Sequence, residues 1–148
     1  MSLIYPNARK RAWTGALDLE GGVIKAALVR PTTSCGADVD AKFLADFANL
    51  DESTVGGYAR ELLTGVQVDD PGTGPVTMLA DDLDFGVLDG NVADPIGGIL
   101  LFEDNGGPSS DVPIAFLDSV RAASISFPYQ PTSKQFLVEW FGGVVLNL

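Results

Sequence analysis

Near the end of the chain, Phe136, Val138 and Trp140 alternate with Leu137, Glu139 and Phe141. A period of two in a stretch rich in β-branched and aromatic residues predicts a strand. Gly142-Gly143 interrupts the pattern and Val144-Val145-Leu146 resumes it. The glycines therefore predict a bulge or sharp bend rather than a strand end, with the terminal stretch buried in a sheet. Similar chemistry predicts strands over 23–30, 58–68 (kinked at Gly65), 76–79, 83–87, 97–104, 112–118 and 124–127. Residues 69–75 are dense in turn formers, and Asn105-Gly106 opens a longer turn before the strand at 112. About seven or eight short strands with closely spaced turn signals predict a mainly β fold, an antiparallel β-sandwich or its jelly-roll form.

One or two short helices interrupt this pattern. Asn7 is placed to cap a helix over 8–13, and Gly15 to stop it. Val39, Phe43 and Phe47 recur every four residues behind Asp38, which predicts an amphipathic helix over 38–47, widened by Leu44. Leu3, Ile4 and Tyr5 form a short apolar segment ended by Pro6. Residues 1–15 are thus a candidate N-terminal arm on a domain spanning 1–148. Leu3-Ile4-Tyr5 equally suits a strand added to the chain's own sheet. Trp13 reads as a core aromatic or as an exposed anchor on a partner, a role in which Trp and Arg are enriched.

A length of 148 residues suits one domain with a real core. Apolar residues make up 46% and charged residues 20%, which argues against a disordered chain. No run reaches the roughly 18 apolar residues that a membrane span needs. The N-terminus lacks the pattern of a secretory signal. The single cysteine, Cys35, has no partner for an intrachain disulfide and reads as an incidental loop residue.

The net charge of −11 disfavours direct binding to nucleic acid. Five of the nine basic residues (Arg9, Lys10, Arg11, Lys25, Arg30) fall in the first thirty positions, so a basic N-terminal segment precedes an acidic body. Histidine is absent, which excludes Ser-His-Asp and Cys-His catalysis and the usual histidine zinc sites. The run Asp81-Asp82-Leu83-Asp84 lacks EF-hand spacing and reads as a solvated strand edge. The Gly-Gly pairs precede no Gly-Lys-Ser/Thr and are turns or bulges, not phosphate loops. These features predict a non-enzymatic protein without a cofactor or metal.

The order of short words along the chain is familiar. Ala8-Arg-Lys-Arg11 leads into Gly15-Ala-Leu-Asp-Leu19 and Ile24-Lys-Ala-Ala-Leu-Val29. Then come Phe43-Leu-Ala-Asp46, Gly57-Tyr-Ala-Arg60 and Leu63-Thr-Gly65. Gly98-Ile-Leu-Leu-Phe102, Pro113-Ile-Ala-Phe-Leu-Asp118 and Phe136-Leu-Val-Glu-Trp140 complete the series. This resembles small virion structural proteins of tailed bacteriophages, of the type that decorates or cements the capsid. The resemblance implies a sandwich made in the host cytoplasm that binds the major capsid protein on the outer surface of the shell. It also implies a homo-oligomer on the particle and no membrane contact. No catalytic residues come with it. Leu3, Ile4, Tyr5, Arg9, Arg11 and Trp13 are the candidate partner contacts, because they are apolar and basic on an acidic chain. A tail or baseplate component is the alternative. A carbohydrate-binding module using Trp13, Trp140 and Tyr129 is a further one.

Overall fold

The computed structural model describes residues 2–90, 94–119 and 125–148. In chain order these form β1 (Ser2–Ile4), α1 (Pro6–Trp13), β2 (Ile24–Val29), β3 (Glu61–Leu62), β4 (Gln67–Asp69), β5 (Thr77–Leu79), β6 (Leu83–Val87), β7 (Gly98–Glu103), β8 (Val112–Leu117), β9 (Gln135–Val138) and β10 (Val144–Asn147). Single 3-10 turns lie at Leu44–Asp46 and Phe141–Gly143. The strands pair antiparallel into sheets ordered β1-β8-β7-β2-β3, β10-β5-β4 and β6-β9. The mainly β, antiparallel expectation holds.

The longest apolar runs sit at the centre. Every residue of β7 and β8 is buried, as an unbroken apolar run requires when both sheet faces are covered. Ile99, Leu100, Leu101 and Phe102 are wholly inaccessible, and each such side chain contributes roughly 1.5–3 kcal/mol. Pro113 lies where the β7–β8 register shifts, a position that tolerates its missing N–H. Buried Asp111 shapes the loop between these strands: its carboxylate accepts the backbone N–H of Asn105 at 2.8 Å and of Gly107 at 3.0 Å.

The terminal stretch bends at its glycines and resumes as a strand, as its pattern predicts, but its first strand ends at Val138, and exposed Phe141 belongs to the 3-10 turn. Trp140 and Phe136 are buried, and Gly142 and Gly143 take left-handed φ values of 63° and 77°. That bend sends β10 into a different sheet from β9, so one apolar stretch serves two sheets. Gly65 acts similarly at φ 62°, but as a break: the predicted strand over 58–68 reduces to β3 and β4, in separate sheets.

Two predictions are corrected. Residues 38–47 form no amphipathic helix beyond the 3-10 turn. Asp38 accepts hydrogen bonds from the Ser34 hydroxyl (2.5 Å) and the Ala48 N–H (2.8 Å), tying the loop ends together instead of capping a helix. Asp46 accepts the N–H groups of Lys42 and Phe43. Such local side-chain bonds compete with helical ones. Val39 is exposed, and the supposed stripe never assembles. In the predicted strand 124–127, Ser124 lies outside the described residues, and Ile125, Ser126 and Phe127 are irregular.

The N-terminal segment is docked on the body. β1 pairs with β8, and the Tyr5 N–H continues the ladder to the Ile114 carbonyl at 3.0 Å. The first residues thus add a strand to their own sheet. Tyr5 is fully buried, donates its hydroxyl to the Cys35 carbonyl at 2.7 Å and meets Phe47 edge-on at 5.7 Å. The helix begins with Pro6 in its first turn, where a missing N–H costs nothing. Asn7 does not cap it; its side chain donates to the Lys42 carbonyl. Thr14 closes the helix, and Gly15, at φ 73°, turns the chain away as expected.

Candidate partner-binding face

Most charged clusters in the body are structural. Arg30, at the end of β2, donates from Nε to Asp94 (2.6 Å), from Nη1 to Asp51 (2.8 Å) and from Nη2 to Thr54 (2.6 Å). Asp94 is buried and also accepts the Thr54 N–H. Thr32 donates its hydroxyl to the second Asp51 oxygen. The Thr32 and Arg30 donors hold the Asp51 carboxyl below its ordinary range, and Asp94 and Asp51 raise the guanidinium. The cluster ties three loops to the sheet, so its donors and acceptors are already committed.

A second cluster completes the short edge of β2. Because β3 has only two residues, Leu28 lies beyond it. The Leu28 N–H instead donates to the Tyr58 hydroxyl at 3.1 Å, and that hydroxyl donates to Glu52 at 2.6 Å. Arg60 grips Glu52 in a two-pronged pair at 2.9 and 2.7 Å and lies 5.0 Å from the Phe102 ring centre. Burial pushes the Glu52 carboxyl up, but the Arg60 and Tyr58 donors outweigh it and leave the group lowered. Burial and the Glu52 carboxylate raise the Tyr58 phenol well above its usual value. Lys25 pairs with Asp104 at 2.5 Å, which lowers that carboxyl.

The acidic run 81–84 braces strands; it is not merely a solvated edge. Asp81 accepts the Thr64 hydroxyl, Asp82 accepts the Trp140 N–H, and Asp84 accepts both the Gly86 N–H and the Gln135 amide. Among the described residues no group of three or more Cys, Asp or Glu side chains is placed to hold a metal ion. Cys35 is buried, and burial is the largest influence pushing its thiol up to about 11.

The six candidate contact residues separate cleanly. Tyr5 is removed from the set by its burial. Leu3 and Ile4 are half-buried in β1. Arg11 is half-buried and spends one guanidinium nitrogen on the Ala16 carbonyl at 3.2 Å, holding the helix end. Arg9 and Trp13 remain. Trp13 is 92% exposed, so its core reading is overturned: it occupies the last position of a short helix, past the turn buried by Ala8.

Arg9, Ala12 and Trp13 line one wall of an open groove of about 730 Å³. The segment Leu17, Asp18, Leu19 and Glu20 lines it too, with Val68, Val76 and Leu148 from the three-stranded sheet and its flanks. Leu17 and Leu19 are buried, while Val68 and Leu148 keep apolar surface in solvent. Glu20 holds the groove together by accepting the outward N–H of Val68 at 2.9 Å. Most of this lining was missed in the sequence. Leu17 and Leu19 offered a faint alternating signal, but nothing local announces that Val68, Val76 and Leu148 converge beside α1.

Of the aromatics considered for sugar binding, Trp13 is exposed and Tyr129 is half-buried. Trp140 is buried and donates its indole N–H to the Asp81 carbonyl, and Tyr129 packs 4.8 Å from Phe136. No helix among the described residues is long and apolar enough to cross a membrane. The comparisons with known proteins find no matching family model, no matching curated protein and no matching solved structure.

Proposed function

We propose that this chain is a non-enzymatic virion structural protein that binds the outer surface of a capsid shell and stabilises it, in the manner of a decoration or cement protein. One observation carries the reading. A cross-braced β body presents an exposed tryptophan beside an arginine on the rim of an open apolar groove. Exposed Trp and Arg at an apolar patch are typical anchors of protein interfaces. The resemblance to phage decoration proteins supplies the partner, the major capsid protein, and repeated copies on one particle would strengthen attachment without a single tight site. Burial of β7 and β8 on both faces supports a sandwich-like stacking of the sheets, which suits a rigid decoration.

Co-sedimentation with phage capsids that lack the protein tests the reading. Saturable pelleting and a higher capsid disruption temperature are expected. Protein left in the supernatant at every concentration would overturn it, and self-assembly into rings or tubes would favour a tail component instead.

A further inference from the structure

Asn105 is the one asparagine in the chain followed by glycine. Glycine has no side chain to shield its amide nitrogen, so an Asn-Gly step is open to attack by that nitrogen on the asparagine carboxamide. Gly106 is exposed, at φ 98°, and beyond its chain neighbours no atom lies within 4 Å of where a Cβ would stand. What restrains the step is hydrogen bonding. The Gly106 N–H, the attacking group, donates to Asp104 at 3.0 Å, and Lys25 pairs with the same carboxylate at 2.5 Å, which leaves it a poor base. The Asn105 carboxamide nitrogen, the leaving group, donates to buried Glu103 at 2.9 Å and to the Ser110 carbonyl at 3.2 Å. A carboxylate and a carbonyl only accept, so the nitrogen and not the oxygen must face them. The backbone is pinned on either side. The N–H groups of Asn105 and Gly107 donate to Asp111, and the Ser110 hydroxyl donates to the Asn105 carbonyl at 3.1 Å.

We infer that Asn105 is a deamidation site that the β7–β8 loop holds shut while the chain is folded, and that its conversion breaks the loop. In the reaction the Gly106 nitrogen bonds to the Asn105 side-chain carbonyl carbon, the bond to the carboxamide nitrogen breaks, and ammonia leaves with the proton from Gly106. Water then opens the cyclic imide to aspartate or isoaspartate, so water is taken up and ammonia is lost. Ring closure resets the backbone torsion between Asn105 and Gly106 and frees the carboxamide nitrogen, so the bonds on both must open first. In the aspartate product a carboxylate stands where the amide donated to Glu103. Two like charges then face each other at a buried site, where they repel strongly. The loop joins the two wholly buried strands, so damage to it reaches the centre of the fold.

The test incubates the full-length protein in mildly alkaline buffer, folded and in urea, and follows the peptide carrying Asn105 by mass spectrometry. The unfolded chain is expected to convert. The folded chain should convert at least about tenfold more slowly, because the bond to the Glu103 carboxylate alone is worth about that factor. Ser110→Ala, at an exposed position, removes the hydroxyl that pins the Asn105 carbonyl and should convert faster than wild type while folded. Asn105→Ala and Asn105→Asp are then unfolded in urea side by side. Both lose the amide's bonds and only the second adds a charge, so Asn105→Asp is expected at the lower midpoint. No conversion of the unfolded chain, a folded rate close to the unfolded one, a wild-type rate in Ser110→Ala, or an Asn105→Asp midpoint at or above that of Asn105→Ala would each overturn the inference.

Discussion

Replacing Tyr58 with Phe removes one oxygen from a junction that the shortness of β3 creates. The Tyr58 hydroxyl is both acceptor for the Leu28 N–H and donor to Glu52. Leu28 is fully buried on β2, so its N–H would be left without a partner or water. An orphaned buried donor costs roughly 1–3 kcal/mol, and a lost hydrogen bond to a charged group adds roughly 1.5–3 kcal/mol, reduced here because Arg60 still holds Glu52. The ring stays, and with it the packing 6.2 Å from Phe85, so no cavity term enters. The expected loss is about 2–4 kcal/mol, a large share of the 5–15 kcal/mol typical of a domain. Urea unfolding should show a lower midpoint at an unchanged slope. The Glu52 carboxyl, lowered in the folded protein, should also rise in the variant, moving the acid transition to higher pH. A midpoint within about 0.5 kcal/mol of wild type would refute the reasoning, since that is the range of an ordinary surface substitution.

Asp38, Asp51, Glu52 and Asp104 all have lowered carboxyl pKa values in the folded state. Their stabilising effect is therefore present above the unfolded values near 4 and is lost as pH falls through the lower folded ones; urea midpoints that stay level or rise between about pH 4 and pH 2 would contradict this. Tyr5→Ala should cost about 3–5 kcal/mol by emptying a fully buried aromatic site, whereas Trp13→Ala should change stability by less than about 0.5 kcal/mol, a contrast read from paired thermal melts. The Cys35 thiol, buried and raised to about 11, should resist a thiol reagent at pH 8 until urea unfolds the chain, and immediate stoichiometric labelling would contradict its placement.

Legibility followed how local the deciding interaction is. The strands β2, β7 and β8 announced themselves because an unbroken apolar run has few other uses in a chain this size. Gly142-Gly143 was readable as a bend for the same local reason, but the change of sheet that follows is a tertiary fact. The 38–47 segment misled because three apolar residues at spacing four mimic a helix face, while the decisive bonds of Asp38 run to Ser34 and Ala48, outside that window. Tyr58 did not read as an edge cap, since its acceptor role depends on a strand thirty residues away. At the candidate face, Arg9 and Trp13 stood out by composition alone. Tyr5 shared their segment but not their fate, because a strand edge and a buried ring separate residues that adjoin in sequence. Of the remaining groove residues, Ala12 and Leu17 to Glu20 follow closely in sequence, but Val68, Val76 and Leu148 come from β4, the approach to β5 and the stretch after β10, and no local pattern unites them.

Electron cryomicroscopy of capsids lacking this protein, reconstituted with the purified chain, tests the central claim most directly. The account predicts ordered density on the outer surface of the shell, with α1 and Trp13 turned toward the capsid. Bare shells, or ordered copies with Trp13 facing solvent, would contradict it.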